Sequence, residues 1–209
     1  MIEEFAKICS LKSIKFYVMY GQTEATARMS CLSDKYLPEK AGSIGFPIPG
    51  GRFWLEDSNG KVIEEEDTVG EIIYQGKNVF LGYARDSNDL DKGNENNGVL
   101  RTGDLAKFDR EGFYYIVGRK SRFLKVFGHR VSLDKIEELL ASAGYECVCG
   151  GTDDKLRVFV TNKNIIEEVK TIISTETTVN RSGFMVEHID KIPRSETGKI
   201  LYSSLNQWQ

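Results

Sequence analysis

Apolar and polar positions alternate in two different rhythms along this chain. Through residue 118 the apolar stretches are short and separated by Gly, Pro, Asn and Asp, as in Gly50-Gly51 and Asp57-Ser58-Asn59-Gly60; turns at this spacing predict short antiparallel strands. Residues 3–8 predict a short helix, and Ile14-Lys15-Phe16-Tyr17-Val18-Met19 reads as a β-rich strand. Residues 42–83 predict a small antiparallel or barrel-like subdomain, and residues 86–98, rich in Asp, Asn, Glu and Gly, an exposed loop. Residues 105–108 and 113–117 flank Asp109-Arg110-Glu111-Gly112, a hairpin signal with Gly where a positive φ is useful.

Beyond residue 118 the rhythm becomes strand, helix, strands, helix, strand. Leu133, Ile136, Leu139, Leu140 and Ala143 recur at helical spacing behind Ser132 as N-cap, with Gly144 as the stop. Asn164 and Glu167 read as a capping box opening a second helix that turns Ile165, Ile166, Val169, Ile172 and Ile173 inward. Residues 146–150, 156–161 and 184–189 are its companion strands. The fold class expected is α+β, with one domain over residues 1–118 and a compact α+β domain over 119–209.

Composition narrows the function classes. The chain has 209 residues, 40% of them hydrophobic, and a formal net charge of −3 with both signs intermixed. No basic stripe marks a nucleic-acid partner, and no apolar run has the length of a membrane span. The first residues lack the blocks of a secretory signal, so a cytoplasmic protein is expected. Cys9, Cys31, Cys147 and Cys149 form no metal-type pairing; Cys147 and Cys149 share one face of a strand and read as core thiols. Asn180-Arg181-Ser182 fits a glycosylation sequon that would be idle in the cytosol.

Four polar motifs carry candidate chemistry: Tyr20-Gly21-Gln22-Thr23-Glu24, Arg101-Thr102-Gly103-Asp104, Gly118-Arg119 and Pro193-Arg194-Ser195-Glu196-Thr197-Gly198-Lys199. Each has a plain structural alternative: a strand running into a capped turn, a Gly-Asp turn, a strand end, a solvated lysine in a Thr-Gly-Lys turn. Together they supply the hydroxyl, carboxylate, guanidinium and ammonium groups that suit a nucleotide triphosphate and its metal. In this order and spacing, over about residues 16–201, they resemble the adenylate-forming (AMP-binding) superfamily of acyl-CoA synthetases, peptide-synthetase adenylation domains and luciferases.

The resemblance implies an AMP-forming acid–thiol ligase that uses ATP, Mg2+ and a carboxylic acid. Coenzyme A or the pantetheine of an acyl carrier protein would be the acceptor. It implies that Lys199 bridges substrate carboxylate and α-phosphate, that Glu24 holds magnesium and that Thr23 offers its hydroxyl to phosphate oxygen. Tyr20 would pack on adenine beside Gly21, Asp104 would accept the ribose hydroxyls, and Arg119 would add a guanidinium to ribose or phosphate. Lys125, Gly128 and Arg130 match the loop that serves the thiol-transfer step, with Gly128 leaving room for pantetheine; His129 and His188 read as structural. Two departures stand out. Ser121 occupies the pivot position where the family usually has Asp or Lys, and the Ser/Thr/Gly-rich loop that wraps the β- and γ-phosphates does not occur in these residues. The chain therefore reads as the end of the large adenylating domain followed by the small C-terminal domain, with a truncated, non-catalytic nucleotide- or protein-binding module as the alternative.

Overall fold

The structure is a computed structural model that describes residues 2–37 and 39–205. The chain divides into two compact units, Met1–Lys120 and Ser121–Gln209. The first opens with helix α1 (Ile2–Leu11) and then places eight strands: β1 (Val18–Tyr20), β2 (Ser30–Leu32), β3 (Ser43–Pro47), β4 (Arg52–Glu56), β5 (Val62–Ile63), β6 (Gly70–Gln75), β7 (Val99–Phe108) and β8 (Tyr114–Arg119).

These strands form one sheet in the order β1-β2-β3-β8-β7-β6-β4-β5, every neighbouring pair antiparallel. The antiparallel expectation for residues 42–83 holds, but the sheet is open, with β1 and β5 at its edges, and does not close into a barrel. Residues 14–17, expected as strand, precede the short β1 without joining the ladder. One face of the sheet packs Ile44, Phe53, Leu55, Ile72, Tyr74, Leu100 and Ala106 together with Ala25 and Met29 from the loop after β1. Phe53 anchors this cluster through edge contacts to Tyr74 and Tyr114, both at 5.4 Å between ring centroids.

The β7–β8 hairpin turns where its sequence requires. Asp109 Oδ1 accepts from the amides of Glu111 and Phe113, each at 3.0 Å, and Gly112 takes φ +81°. The same logic shapes the turn from β4 to β5, where Asp57 Oδ1 accepts from Asn59 N and Lys61 N.

The second unit contains β9 (Phe123–Val126), β10 (His129–Ser132), helix α2 (Leu133–Ser142), β11 (Cys147–Thr152), β12 (Lys155–Val160), helix α3 (Ile166–Glu176), β13 (Phe184–His188) and a short helix α4 (Tyr202–Leu205). Ser132 caps α2 as expected, its hydroxyl accepting from Lys135 N. The cap ahead of α3 is displaced: Asn162 Oδ1 accepts from Asn164 N and opens a 3-10 turn that leads into the helix, so the expected capping box on Asn164 does not form. An Asx turn two residues earlier satisfies the local amide first.

In the three-stranded sheet β11-β12-β13 the outer pairs differ: β11 runs antiparallel to β12, and β13 parallel to it through the α3 crossover. Period-2 alternation buries both faces. Cys147, Cys149, Leu156, Val158 and Val160 pack with Ile136, Leu140, Val169 and Ile173 from the two helices. Val148 and Phe159 point the other way, onto Ile189, Ile192 and Leu205. Arg122 lies just ahead of β9 and is only 8% exposed. Its Nε meets Asp134 Oδ1 at 2.6 Å, one terminal nitrogen meets Glu137 Oε1 at 2.5 Å and the other donates to Cys149 O at 2.8 Å. The guanidinium also sits 3.9 Å from the Tyr202 ring centroid.

Candidate active site

Motifs some eighty residues apart meet in the first unit. Asp104, near the middle of β7, is 4% exposed, and a buried carboxylate needs donors on both oxygens. Tyr20 at the end of β1 donates its phenol to Oδ2 at 2.5 Å, and Gln22 Nε2 donates to the same oxygen at 2.9 Å while also reaching Thr102 O at 2.9 Å. Arg119, the cross-strand partner of Asp104 on β8, brings Nε to Oδ1 at 2.7 Å. Burial, reinforced by the bond to Asp104, pushes the Tyr20 phenol far above its ordinary value, so it remains a donor.

Thr102 fixes the carboxylate from below. Its hydroxyl donates to Ile72 O at 2.7 Å and accepts from Asp104 N at 3.0 Å. Gly21 lets the first motif cross the chain closely, because a Cβ there would lie 2.9 Å from Arg28 Cα.

Past Gln22 the chain enters a single 3-10 turn, Thr23–Ala25, with Ala25 fully buried beneath it. Thr23 and Glu24 are thereby carried on the wall of a cleft of about 1070 Å³, which Gly21, Gln22, Thr102 and Arg119 also line. Asn78 holds the chain after this turn, its amide donating to the carbonyls of Ala25 and Arg28 at 3.2 and 3.1 Å while its Oδ1 accepts from Tyr74 OH at 2.8 Å. Glu24 Oε1 accepts from Tyr83 OH at 2.5 Å, a bond that holds the Glu24 carboxylate below its ordinary range and lifts the Tyr83 phenol. Among the described residues no group of three or more His, Cys, Asp or Glu forms a metal cage. The donor set fits a magnesium ion that keeps phosphate and water ligands and takes one protein carboxylate.

In the second unit the Thr197-Gly198-Lys199 turn is closed by main-chain bonds from Ser195 N to Lys199 O, 2.8 Å, and from Gly198 N to Ser195 O, 2.9 Å. Gly198 takes φ +81°, and Lys199 projects from the turn exposed, without an ion-pair partner among the described residues. Lys125, Gly128 and Arg130 lie on the β9–β10 hairpin, all exposed. The β11–β12 turn braces this hairpin: Asp153 Oδ1 accepts from Lys125 N at 2.8 Å and Asp154 Oδ1 from Phe127 N at 2.7 Å. Arg130 lies over the Phe123 ring at 4.7 Å, and a Cβ on Gly128 would meet nothing within 4 Å.

Gln22 and Tyr83 line the cleft and Asn78 braces the chain behind it, although the motifs did not single them out as site residues. Gln22 and Tyr83 each follow a glycine and Asn78 follows a lysine, signals too common to single out.

Comparison with known proteins bears on the family rather than on individual site residues. Residues 1–84 match the family model described as AMP-binding enzyme. The chain is 31% identical over 211 residues to 2-succinylbenzoate–CoA ligase of Bacillus cereus strain Q1, covering 95% of this chain and 43% of that protein. It is 30% identical to 4-hydroxybutyrate–CoA ligase 1 of Metallosphaera sedula, over 87% of this chain and 35% of the relative. Among solved structures, o-succinylbenzoate coenzyme A synthetase from Bacillus subtilis in complex with ATP and magnesium superposes with a TM-score of 0.70 at 25% identity, over 98% of this chain and 44% of that one. An anthranilate CoA ligase in complex with anthranoyl-AMP shares the fold, with a TM-score of 0.67 at 22% identity. The chain thus spans less than half the length of the relatives it matches. Taken with the motifs gathered around Asp104 and Glu24, these likenesses place the chain in the adenylate-forming (AMP-binding) superfamily, matching the C-terminal portion of its members.

Proposed function

We propose that this chain is part of an AMP-forming acid–thiol ligase and carries the ribose- and metal-binding wall of the ATP site, the adenylation lysine and the thiolation hairpin. The observation that supports this best is the convergence on Asp104: a buried carboxylate held by Tyr20, Gln22 and Arg119, of which Gln22 and Arg119 line the cleft together with Thr23 and Glu24. A carboxylate with prearranged partners is suited to accept the two hydroxyls of a ribose. Arg119, 59% exposed on its side chain, can keep its bond to Asp104 and still offer donors to a phosphate.

Forming an acyl adenylate brings a carboxylate against the α-phosphorus of ATP, so two anions must be held together. When bound, magnesium would neutralise phosphate charge and orient the leaving pyrophosphate. Glu24 and Thr23 would hold that end of the nucleotide. Lys199 would supply a compact positive charge to the substrate carboxylate and α-phosphate, and the Gly198 turn would bring the backbone close. Lys125, Gly128 and Arg130 would serve the second step, in which a thiol attacks the adenylate carbonyl and AMP leaves. Coenzyme A fits the ligases among the relatives; a carrier-protein pantetheine offers the same thiol. The acid remains a carboxylate of the class these relatives activate, in a protein we place in the cytoplasm.

Calorimetric titration of the 209-residue chain with AMP tests the reading. Saturable binding is expected, lost at least tenfold in Asp104→Asn, which keeps the shape but not the charge. Equal affinity in both proteins would sink the assignment of the cleft. A non-catalytic nucleotide-binding module is the second reading, because the chain spans 43% of its relatives' length. Acid-dependent pyrophosphate–ATP exchange by a protein extended to that full length separates the two.

A further inference from the structure

Tyr83 belongs to none of the four motifs, yet it grips one of them. Its hydroxyl donates to Glu24 Oε1 at 2.5 Å, and its ring meets Phe80 edge-on at 4.8 Å. Phe80 N in turn donates to Glu24 O at 2.8 Å, so residues 80–83 hold Glu24 by both its backbone and its side chain. Packing does not account for the tyrosine, which is 66% exposed. A phenylalanine would serve the contact with Phe80 equally well; only the hydroxyl reaches the carboxylate. Among the described residues no other side chain donates to Glu24, so no side chain occupies Oε2.

We propose that Tyr83 is a positioning residue, its hydroxyl fixing the Glu24 carboxylate by one oxygen so that the other is ready for a divalent cation arriving with nucleotide phosphates. The proposal rests on the reading of Glu24 given above. A glutamate on a cleft wall samples many rotamers, and a ligand held in advance loses less freedom on binding. One carboxylate oxygen suffices for a cation that keeps its other ligands as phosphate and water, so the Tyr83 bond and the metal bond can coexist.

The test titrates Mn2+ into the 209-residue chain with and without ATP, following free Mn2+ by electron paramagnetic resonance, and measures AMP affinity in EDTA by calorimetry. Tyr83→Phe is expected to weaken binding of Mn2+ with ATP about five- to tenfold, the size of one lost hydrogen bond to a charged group. AMP affinity in EDTA should be unchanged, and Tyr83→Phe should add nothing in a Glu24→Gln background. If Glu24→Gln weakens Mn2+·ATP but Tyr83→Phe does not, the positioning role falls and the metal site stands. Tighter binding in Tyr83→Phe would make the hydroxyl a competitor of the metal, and weaker AMP binding in EDTA would make it a loop support; either overturns the proposal. If Glu24→Gln binds like the parent chain, or Mn2+ and ATP bind no better together than apart, the reading of Glu24 fails and the proposal with it.

Discussion

Arg119 and Asp104 face each other across the β7–β8 ladder, Nε to Oδ1 at 2.7 Å, and the opposite oxygen of the same carboxylate belongs to Tyr20 and Gln22. The pairing is a consequence of register. Cross-strand partners keep their Cβ atoms about 5 Å apart, so the cation is delivered to the carboxylate by the hairpin itself. Strand β1 lies four places away in the sheet order and supplies the phenol by tertiary packing alone.

Tyr20→Phe keeps the edge contact with Phe53 and removes the donor, and should cost about 1.5 kcal/mol of stability in urea unfolding. Since Gln22 donates to the same oxygen, Tyr20→Phe with Gln22→Ala should lose more than the sum of the single changes. Strict additivity would mean that Asp104 is satisfied by Arg119 alone.

Arg122 offers a larger effect. Arg122→Ala would leave Glu137 and Asp134 beside each other without their shared cation and remove the support under Cys149 O, at a cost of about 3 kcal/mol or more to the second unit. Arg122→Lys should recover little, because an ammonium cannot present three donors in that fan. Unfolding followed by near-ultraviolet circular dichroism would read both changes, and full recovery by lysine would show that charge alone matters.

Much of this architecture is legible in the sequence, and the exceptions share a cause. Ser132, Asp109 and Gly112 act through bonds within a few residues, so helix α2 and the β7–β8 hairpin follow from local chemistry. The displaced cap at Asn162 is a contest between two neighbouring Asn residues that pattern alone does not decide. Whether the first sheet closes or stays open depends on how its edges meet, a property of the whole sheet. Tyr83 finds Glu24 across 59 residues of sequence, and Arg122 reaches Cys149 across 27. Such partners exist only after folding. The motif residues themselves were legible as a set, although the bonds that tie Tyr20, Gln22 and Arg119 to Asp104, and Tyr83 to Glu24, were not.

Acid should weaken the β12–β13 pairing. Arg157 holds Glu187 by two bonds, Nε to Oε1 at 2.6 Å and a terminal nitrogen to Oε2 at 2.7 Å, and this hydrogen-bonded cation keeps the carboxyl below its ordinary range. A carboxyl depressed in the folded state contributes stability that is present above its unfolded value, near 4.5, and is lost as pH falls through the folded one. Glu187→Gln should therefore flatten the stability profile below about pH 4.5 and lower the plateau above it. An unchanged acid limb would assign the pH dependence to other carboxylates.

In a protein extended to the full length of the relatives, Lys199→Ala should abolish adenylation, read as pyrophosphate–ATP exchange. Transfer of a supplied acyl adenylate to the thiol should remain, because the lysine is expected to act on charge that develops only in the first step. Equal loss of both rates would make Lys199 a structural residue of its turn.

The side chains that bracket Ser121 give the junction a mechanical character of its own. Lys120 is tied to Glu71 at 2.7 Å, and Arg119 to Asp104, so the last two residues of the first unit are fastened to its sheet. Arg122 is fastened just as firmly within the second unit, while Ser121 between them makes no side-chain hydrogen bond among the described residues. Each unit thus clamps its own end of the connecting backbone, and the stretch between the two fastenings is a single residue, Ser121, inside the 3-10 turn Lys120–Arg122.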